Sequence, residues 1–498
     1  MKSRILACVL LALVLLVSAC GGSSNETGQA RRPSYPSGAG SAPDTGSGKG
    51  TARAVPSPAR GSRSEPADKI STFALDVDTA SYGYARAGLK EGRLPDPAQV
   101  RPEEFVNAFR QGYAEPSGDG FAVQLDGARG AAEGTALLRV GLQTRTAEAA
   151  ARRPANLTFV VDVSGSMGDP GRLDLVREAL HTLVDQLGPG DQVSIVSFSD
   201  EARLRISMTP ASERADLHAA VDSLGTEGST NLEAGLVTGY EEASRAFRPV
   251  ATNRVILLSD GLANTGNTSW QGILDRVKEQ AGHRITLLCV GVGRDYGDAL
   301  MEQLADNGDG AAVYVSSPEE ARKIFVERLP AGLDLRARDA KAQVAFNPAT
   351  VESYRLLGYE NRTLAQEDFR DDAKDGGEVG PGHAVTALYA VRLRPGTSGQ
   401  VAMATVRWQD PDTREPAEMS RAVDLSELSD ALWEGSSPRL QVDAVVAAFA
   451  ERLRHTDDEL FTEDLDGLAG HATRLASATE DPMVTELAEL IRTAGSLE

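Results

Sequence analysis

Cysteine is scarce in this chain of 498 residues: there are three. Cys8 lies inside an N-terminal apolar run, Cys20 ends that run, and Cys289 sits in the apolar stretch Ile285–Val290, so the folded part holds a single thiol and no internal disulfide. Cys289 reads as a small buried hydrophobe rather than a nucleophile. Histidine is equally sparse. Six are scattered without an acidic partner at motif spacing, which leaves a Ser-His-Asp triad unsupported. Positive charge is in deficit, 51 Lys and Arg against 72 Asp and Glu for a formal net charge of -21, and this argues against a nucleic-acid partner, because phosphate binding needs clustered Lys and Arg. The charge reads as a soluble, self-repelling surface.

What is present is ordinary for globular protein, 41% hydrophobic and 25% charged residues. The length exceeds what one hydrophobic core usually supports and predicts two to four structural units. Lys2 and Arg4 precede the apolar run from Ile5 to Val17, too short for a spanning helix and suited to a signal-peptide core. Ser18-Ala19-Cys20-Gly21 resembles a bacterial lipobox, with Val17 where Leu is commoner. The resemblance implies acylation of Cys20 and a membrane tether held by buried methylenes, on the extracytoplasmic face of a bacterial envelope. A plain secretory signal is the competing reading. From residue 21 to 68 the chain is rich in Gly, Ser and Pro and cannot offset its ordering entropy, so a flexible tether is expected.

Residues 69–153 mix strand and helix patterns: Thr72–Asp78 as a strand, Thr79–Lys90 as a helix capped by Asp78 or Thr79, and a short helix from Pro102. Asp76, Asp78 and Ser81 read as capping residues rather than a second ion site. Residues 154–332 alternate strand and helix, with a tight turn at Ser199–Glu201 predicting one antiparallel edge hairpin; this is an α/β doubly wound, mostly parallel sheet. Residues 333–436 are β runs without helices, expected to form a sandwich with strands of the N-terminal flank, so that the α/β unit is inserted in a β scaffold. Residues 437–498 are a helical tail whose first helix carries Leu440, Val442, Val445, Val446, Phe449 and Leu453 on an apolar face.

The chemistry concentrates at Leu157–Gly168, Leu-Thr-Phe-Val-Val-Asp-Val-Ser-Gly-Ser-Met-Gly. A buried strand delivers Asp162, Ser164 and Ser166 at its carboxyl end, where open α/β sheets bind ligands. Thr230 lies in the polar loop Gly228–Leu232, and Asp260 ends a second buried run, Arg254–Gly261. All are oxygen donors, which suits a hard cation such as Mg²⁺. The set Asp162, Ser164, Ser166, Thr230 and Asp260 resembles the metal-ion-dependent adhesion site of von Willebrand factor A domains. The order of lipobox, tether, flank, A domain and β region is similar to bacterial A-domain lipoproteins with a C-terminal domain of unknown function; Thr72–Tyr82, Tyr354–Arg362 and Glu367–Asp375 followed by Gly-Gly-Glu378 carry that likeness.

The resemblance implies that Asp162, Ser164, Ser166, Thr230 and Asp260 hold Mg²⁺ (or Mn²⁺ or Ca²⁺) and leave a position open for an Asp or Glu of a partner protein. It implies binding, not catalysis. Ser164-Gly-Ser166-Met-Gly168 lacks the glycine a nucleophile elbow needs two residues before Ser166, and Gly291-Val-Gly293 is followed one residue late by Gly297 for a dinucleotide loop. The alternative is a scaffold lipoprotein of an envelope complex in which the ion only stabilises the A-domain loops.

Overall fold

The computed structural model describes residues 64–498 except 119, 147–152, 261–269, 294–297, 309, 316, 318–320, 323, 326–334, 373, 375, 412 and 457–458. Cys20, residues 21–63 of the expected tether and most of the helix expected at Pro318–Leu329 lie outside the described residues, while Glu65–Pro66 at the tether's end pair with a strand of the C-terminal flank instead of staying flexible.

The N-terminal flank supplies β1 (Glu65–Pro66), β2 (Ile70–Ala74), α1 (Ala80–Lys90), α2 (Pro102–Asn107), β3 (Phe121–Arg129) and β4 (Thr135–Thr144). The central segment follows as β5 (Ala155–Asp162), α3 (Leu173–Gln186), β6 (Gln192–Phe198), β7 (Ala202–Pro210), α4 (Arg214–Asp222), α5 (Leu232–Arg245), β8 (Thr252–Ser259), α6 (Trp270–Gly282), β9 (Ile285–Val292), α7 (Asp298–Asn307) and β10 (Ala311–Val315). Its strands run in the order β10-β9-β8-β5-β6-β7. All pairs are parallel except β6 with β7, the expected hairpin at one edge. Every residue of β5 and β9 is buried, the burial expected of strands covered by helices on both faces and the reason their apolar runs are unbroken. On one face Leu180 of α3 packs with Phe159 and Ile256 of the sheet, and on the other Leu236 of α5 packs with Val160 and Leu257.

The remaining strands are β11 (Ala337–Phe346), β12 (Val351–Leu357), β13 (Gly377–Val379), β14 (Ala384–Leu393), β15 (Gln400–Gln409) and β16 (Pro416–Asp424). Strands from the two flanks interleave: one sheet runs β1-β12-β14-β4-β3, the other β13-β11-β15-β16, with β2 paired to β11. Residues 384–392 of β14 pair antiparallel with residues 135–143 of β4, across the whole central segment. The two sheets share one core, with Phe121, Leu138 and Val140 from one and Val344, Val406 and Trp408 from the other. The α/β unit is therefore inserted in a β-sandwich whose halves are distant in sequence.

Two expectations are corrected here. The helix now labelled α9 (Pro438–Leu453), after the short α8 (Leu432–Gly435), is buried all round from Leu440 to Glu451 rather than amphipathic. Its polar residues meet partners from the sandwich: Asp443 accepts from Arg139 at 2.8 Å, and Glu451 from Arg355 at 3.2 Å. α10 (Leu465–Thr479) and α11 (Pro482–Leu497) complete a helical layer with α1 and α2, in which Phe105 meets Phe449 edge-on.

Asp76, Asp78 and Ser81 do not cap α1. The N-cap Thr79 makes no side-chain bond, and Glu104 accepts instead from the Ser81 amide at 2.8 Å, from 23 residues away. Asp76 accepts from the Asp78 amide, Asp78 accepts from the Ala312 amide at 2.8 Å, and the Arg362 guanidinium lies 3.4 and 3.6 Å from the two carboxylates. Asp78 thereby fastens the flank to β10, the open edge of the parallel sheet, and α1 lies over that edge with Tyr84 packed edge-on against Tyr314. A covered edge cannot recruit a foreign strand.

Candidate functional site

The sheet reverses direction of growth at β5, with β6 to one side and β8 to the other, so the carboxyl ends of β5 and β8 flank a topological switch point. Asp162 is the last residue of β5, and Asp260 follows the last residue of β8. Neighbouring parallel strands thus bring two carboxylates from positions 98 residues apart to one rim.

Asp162 is fully buried, and its two oxygens are both engaged: Oδ1 accepts from the Ser164 amide at 2.8 Å and Oδ2 from the Ser259 hydroxyl at 2.6 Å. Burial pushes its carboxyl above the ordinary value, and these hydrogen bonds pull it part of the way back. Beyond Asp162 the chain passes into a 3-10 turn, Gly165–Gly168, which swings Ser166 beside Ser164 at 3.1 Å between hydroxyls. The Ser166 hydroxyl donates to Asp260 Oδ1 at 3.0 Å. Ser166 is exposed, whereas Asp162, Ser164 and Asp260 are buried, so the cluster opens to solvent on one side.

Thr230 arrives on a loop pinned by backbone bonds. The Gly165 amide donates to Gly228 O at 3.1 Å, the Glu227 amide to Val163 O at 2.6 Å, and the Asn231 amide to Ser199 O at 2.7 Å. Asn231 then caps α5 by accepting from the Ala234 amide at 3.1 Å. Thr230 itself is buried. The four residues Asp162, Ser164, Ser166 and Asp260 form one hydrogen-bonded chain, and the Thr230 loop is docked on the segment that carries it.

The donor set is two carboxylates and three hydroxyls, all hard oxygens, which fits Mg²⁺, Mn²⁺ or Ca²⁺ and not a thiophilic metal. Among the described residues no cluster of three or more His, Cys, Asp or Glu side chains is placed to hold a metal, and this site contributes only its two aspartates to such a count. A cation already stands against it: Arg172 Nη1 donates to Asp260 Oδ2 and to Ser166 O.

Three participants were not legible beforehand. Ser259 ends β8 and Arg172 stands at the N-cap of α3, and nothing in the local sequence pattern ties either to the site. Asp200 accepts from the amide and hydroxyl of Ser229 and steadies the Thr230 loop. A separate polar cluster joins α3 to α4: His181 and His218 meet through their Nδ1 atoms at 2.7 Å, while their Nε2 atoms lie 3.1 Å from Asp222 and Asp185. Sequence spacing could not show these acidic partners, because they come from the opposite helix. Cys289 is a buried cysteine in β9. Among the described residues no helix is long and apolar enough to cross a membrane.

The model of the von Willebrand factor type A domain matches residues 156–327, so the inserted unit is a VWA domain. A model described as von Willebrand factor matches residues 59–138, and one described as the C-terminal part of the uncharacterized protein YfbK matches residues 332–497. The uncharacterized protein YfbK of Escherichia coli (strain K12) is 33% identical over 417 residues, covering 78% of this chain and 72% of that protein. The chain belongs to the YfbK family of VWA-domain proteins. Human inter-alpha-trypsin inhibitor heavy chain H4 is 34% identical over 164 residues, 31% of this chain and 18% of its own. Among solved structures, von Willebrand factor type A from Catenulispora acidiphila aligns over 76% of this chain and 91% of its own, at 17% identity and a TM-score of 0.46.

Proposed function

We propose that this protein is a membrane-anchored, divalent-metal-dependent binding protein that captures an acidic side chain of a partner protein at the rim formed by Asp162, Ser164, Ser166, Thr230 and Asp260. The observation that carries the reading is the mixed burial of the cluster: two sequestered carboxylates, with the exposed hydroxyl of Ser166 bonded directly to one of them. A bound Mg²⁺ or Mn²⁺ would supply a positive charge with room for one more oxygen ligand. Asp162 and Asp260 would hold it by charge, and Ser164, Ser166 and Thr230 would complete the set with neutral oxygens, so the ion keeps charge for an incoming Asp or Glu. The half-buried rim strengthens that contact over a surface ion pair.

Binding rather than catalysis is supported by the surroundings of the two serines. Among the described residues no histidine hydrogen-bonds to Ser164 or Ser166, and Ser166 donates its proton to a carboxylate. The lipobox at Cys20 and the tether after it support placement at the cell envelope, with reach away from the membrane. A second reading, an envelope scaffold in which the ion only braces the loops, draws on the large sandwich that the two flanks build around the VWA domain.

One experiment separates them. Native membranes are solubilised and captured with wild type or Asp162→Ala, each with Mg²⁺ and with EDTA. Metal-dependent capture of a partner that Asp162→Ala loses supports the adhesive reading. A partner captured equally in all four conditions overturns it in favour of the scaffold.

A further inference from the structure

We propose that Arg172 is an internal counter-cation that sets how tightly the strand-end site holds its divalent ion, a role that rests on the metal reading above. Arg172 occupies the N-cap of α3 without capping it, and it is 7% exposed. A guanidinium at that depth costs folding energy unless it is paired, so its partners identify its role. Nη1 donates to Ser166 O at 3.1 Å and to Asp260 Oδ2. Nη2 lies 3.5 Å from the exposed Asp169. The stem lies on Gly293 at the end of β9, where φ is 89° and an added Cβ would stand 2.8 Å from Nε. One side chain thus joins the loops that follow β5, β8 and β9.

Asp260 is divided by this contact. Its Oδ1 meets the Ser166 hydroxyl of the donor set, while its Oδ2 is spent on Arg172. Of the two carboxylates available to an ion, Asp162 is bonded, among the described residues, only by neutral donors, and Asp260 already carries a positive neighbour. Affinity for hard divalent cations rises with the ligand charge count, and a fixed positive charge beside the site lowers it further by repulsion. Arginine stays protonated throughout the accessible pH range, so this opposition is permanent. Its release is conformational. Asp169 offers the guanidinium a second carboxylate, and movement toward it frees Asp260 Oδ2, tying ion affinity to the position of the loop between Ser166 and α3.

The test uses the purified full chain and Mn²⁺ alone, followed by titration calorimetry. R172Q keeps hydrogen-bonding capacity without the charge, and R172K keeps the charge without the fork. R172Q is expected to bind Mn²⁺ at least about ten-fold more tightly than wild type, as a unit charge a few ångströms away requires at an effective dielectric near 20. R172K is expected to stay within roughly three-fold of wild type on the same ground. A wild type that binds Mn²⁺ and a folded R172Q that binds it no more tightly would overturn the role of Arg172 while leaving the metal site standing. No Mn²⁺ uptake by either protein overturns the metal reading, and this inference with it. Should R172Q fail to fold, wild type suffices: linkage requires Mg²⁺ to loosen the guanidinium, so hydrogen exchange of the Arg172 side chain must accelerate on Mg²⁺ addition, and unchanged exchange refutes the competition.

Discussion

Glu103 stands in the first turn of α2, fully buried, and among the described residues neither of its carboxyl oxygens has a hydrogen-bond partner. Burial is the main cause that pushes its pKa from 4.5 up to about 7; Glu360 and Asp76 push the same way, and Arg101 opposes them. The sign follows from proton counting. Between pH 4.5 and about 7 the folded chain holds this proton and the unfolded chain has lost it, so stability falls as pH rises through that window and stays reduced above it. A gap of about 2.5 pH units at 1.36 kcal/mol each makes the full penalty about 3 kcal/mol, most of which develops between pH 5 and pH 8. Glu103→Gln removes the ionisation and keeps the shape. Guanidinium unfolding of both proteins at pH 5 and pH 8 is the assay, and wild type should lose about 2–3 kcal/mol more than the variant between them. Parallel pH dependence in the two proteins would refute the assignment.

Gly239 of α5 lies against β5, and a Cβ there would stand 2.3 Å from Val160 Cγ2. Gly239→Ala is therefore expected to destabilise by about 1–3 kcal/mol through overpacking, read as a lowered melting temperature; an unchanged melting temperature would contradict the close approach. Cys20→Ser should move the protein from the membrane pellet to the soluble fraction on sedimentation, and retention in the pellet would rule out the lipid anchor.

The order of strands and helices in the VWA domain was legible because β5, β8 and β9 are buried on both faces and their apolar runs announce it. The placement of Asp162, Ser164, Ser166, Thr230 and Asp260 was legible because they follow such strands or lie in a short polar loop between helices. Other features left no local trace. β16 is an edge strand exposed along most of its length, and its sequence Pro-Ala-Glu-Met-Ser-Arg-Ala-Val-Asp has no apolar alternation to read. α9 carries Asp443 and Glu451 into the core because Arg139 and Arg355 wait there, and a helical pattern taken alone turns such residues outward. Asp76 and Asp78 have capping chemistry at a capping position, yet Arg362 and the Ala312 amide claim them. Arg172 shows the same limit: periodicity locates a residue on an element, while its partner is set by the tertiary fold.

The most direct measurement is calorimetric titration of the purified full chain with Mg²⁺ and with Mn²⁺, wild type beside Asp162→Ala. Saturable uptake of one ion per chain by wild type, abolished in Asp162→Ala at unchanged secondary structure, is the predicted result. No uptake by wild type, or equal uptake by both proteins, would contradict a metal centre built on Asp162.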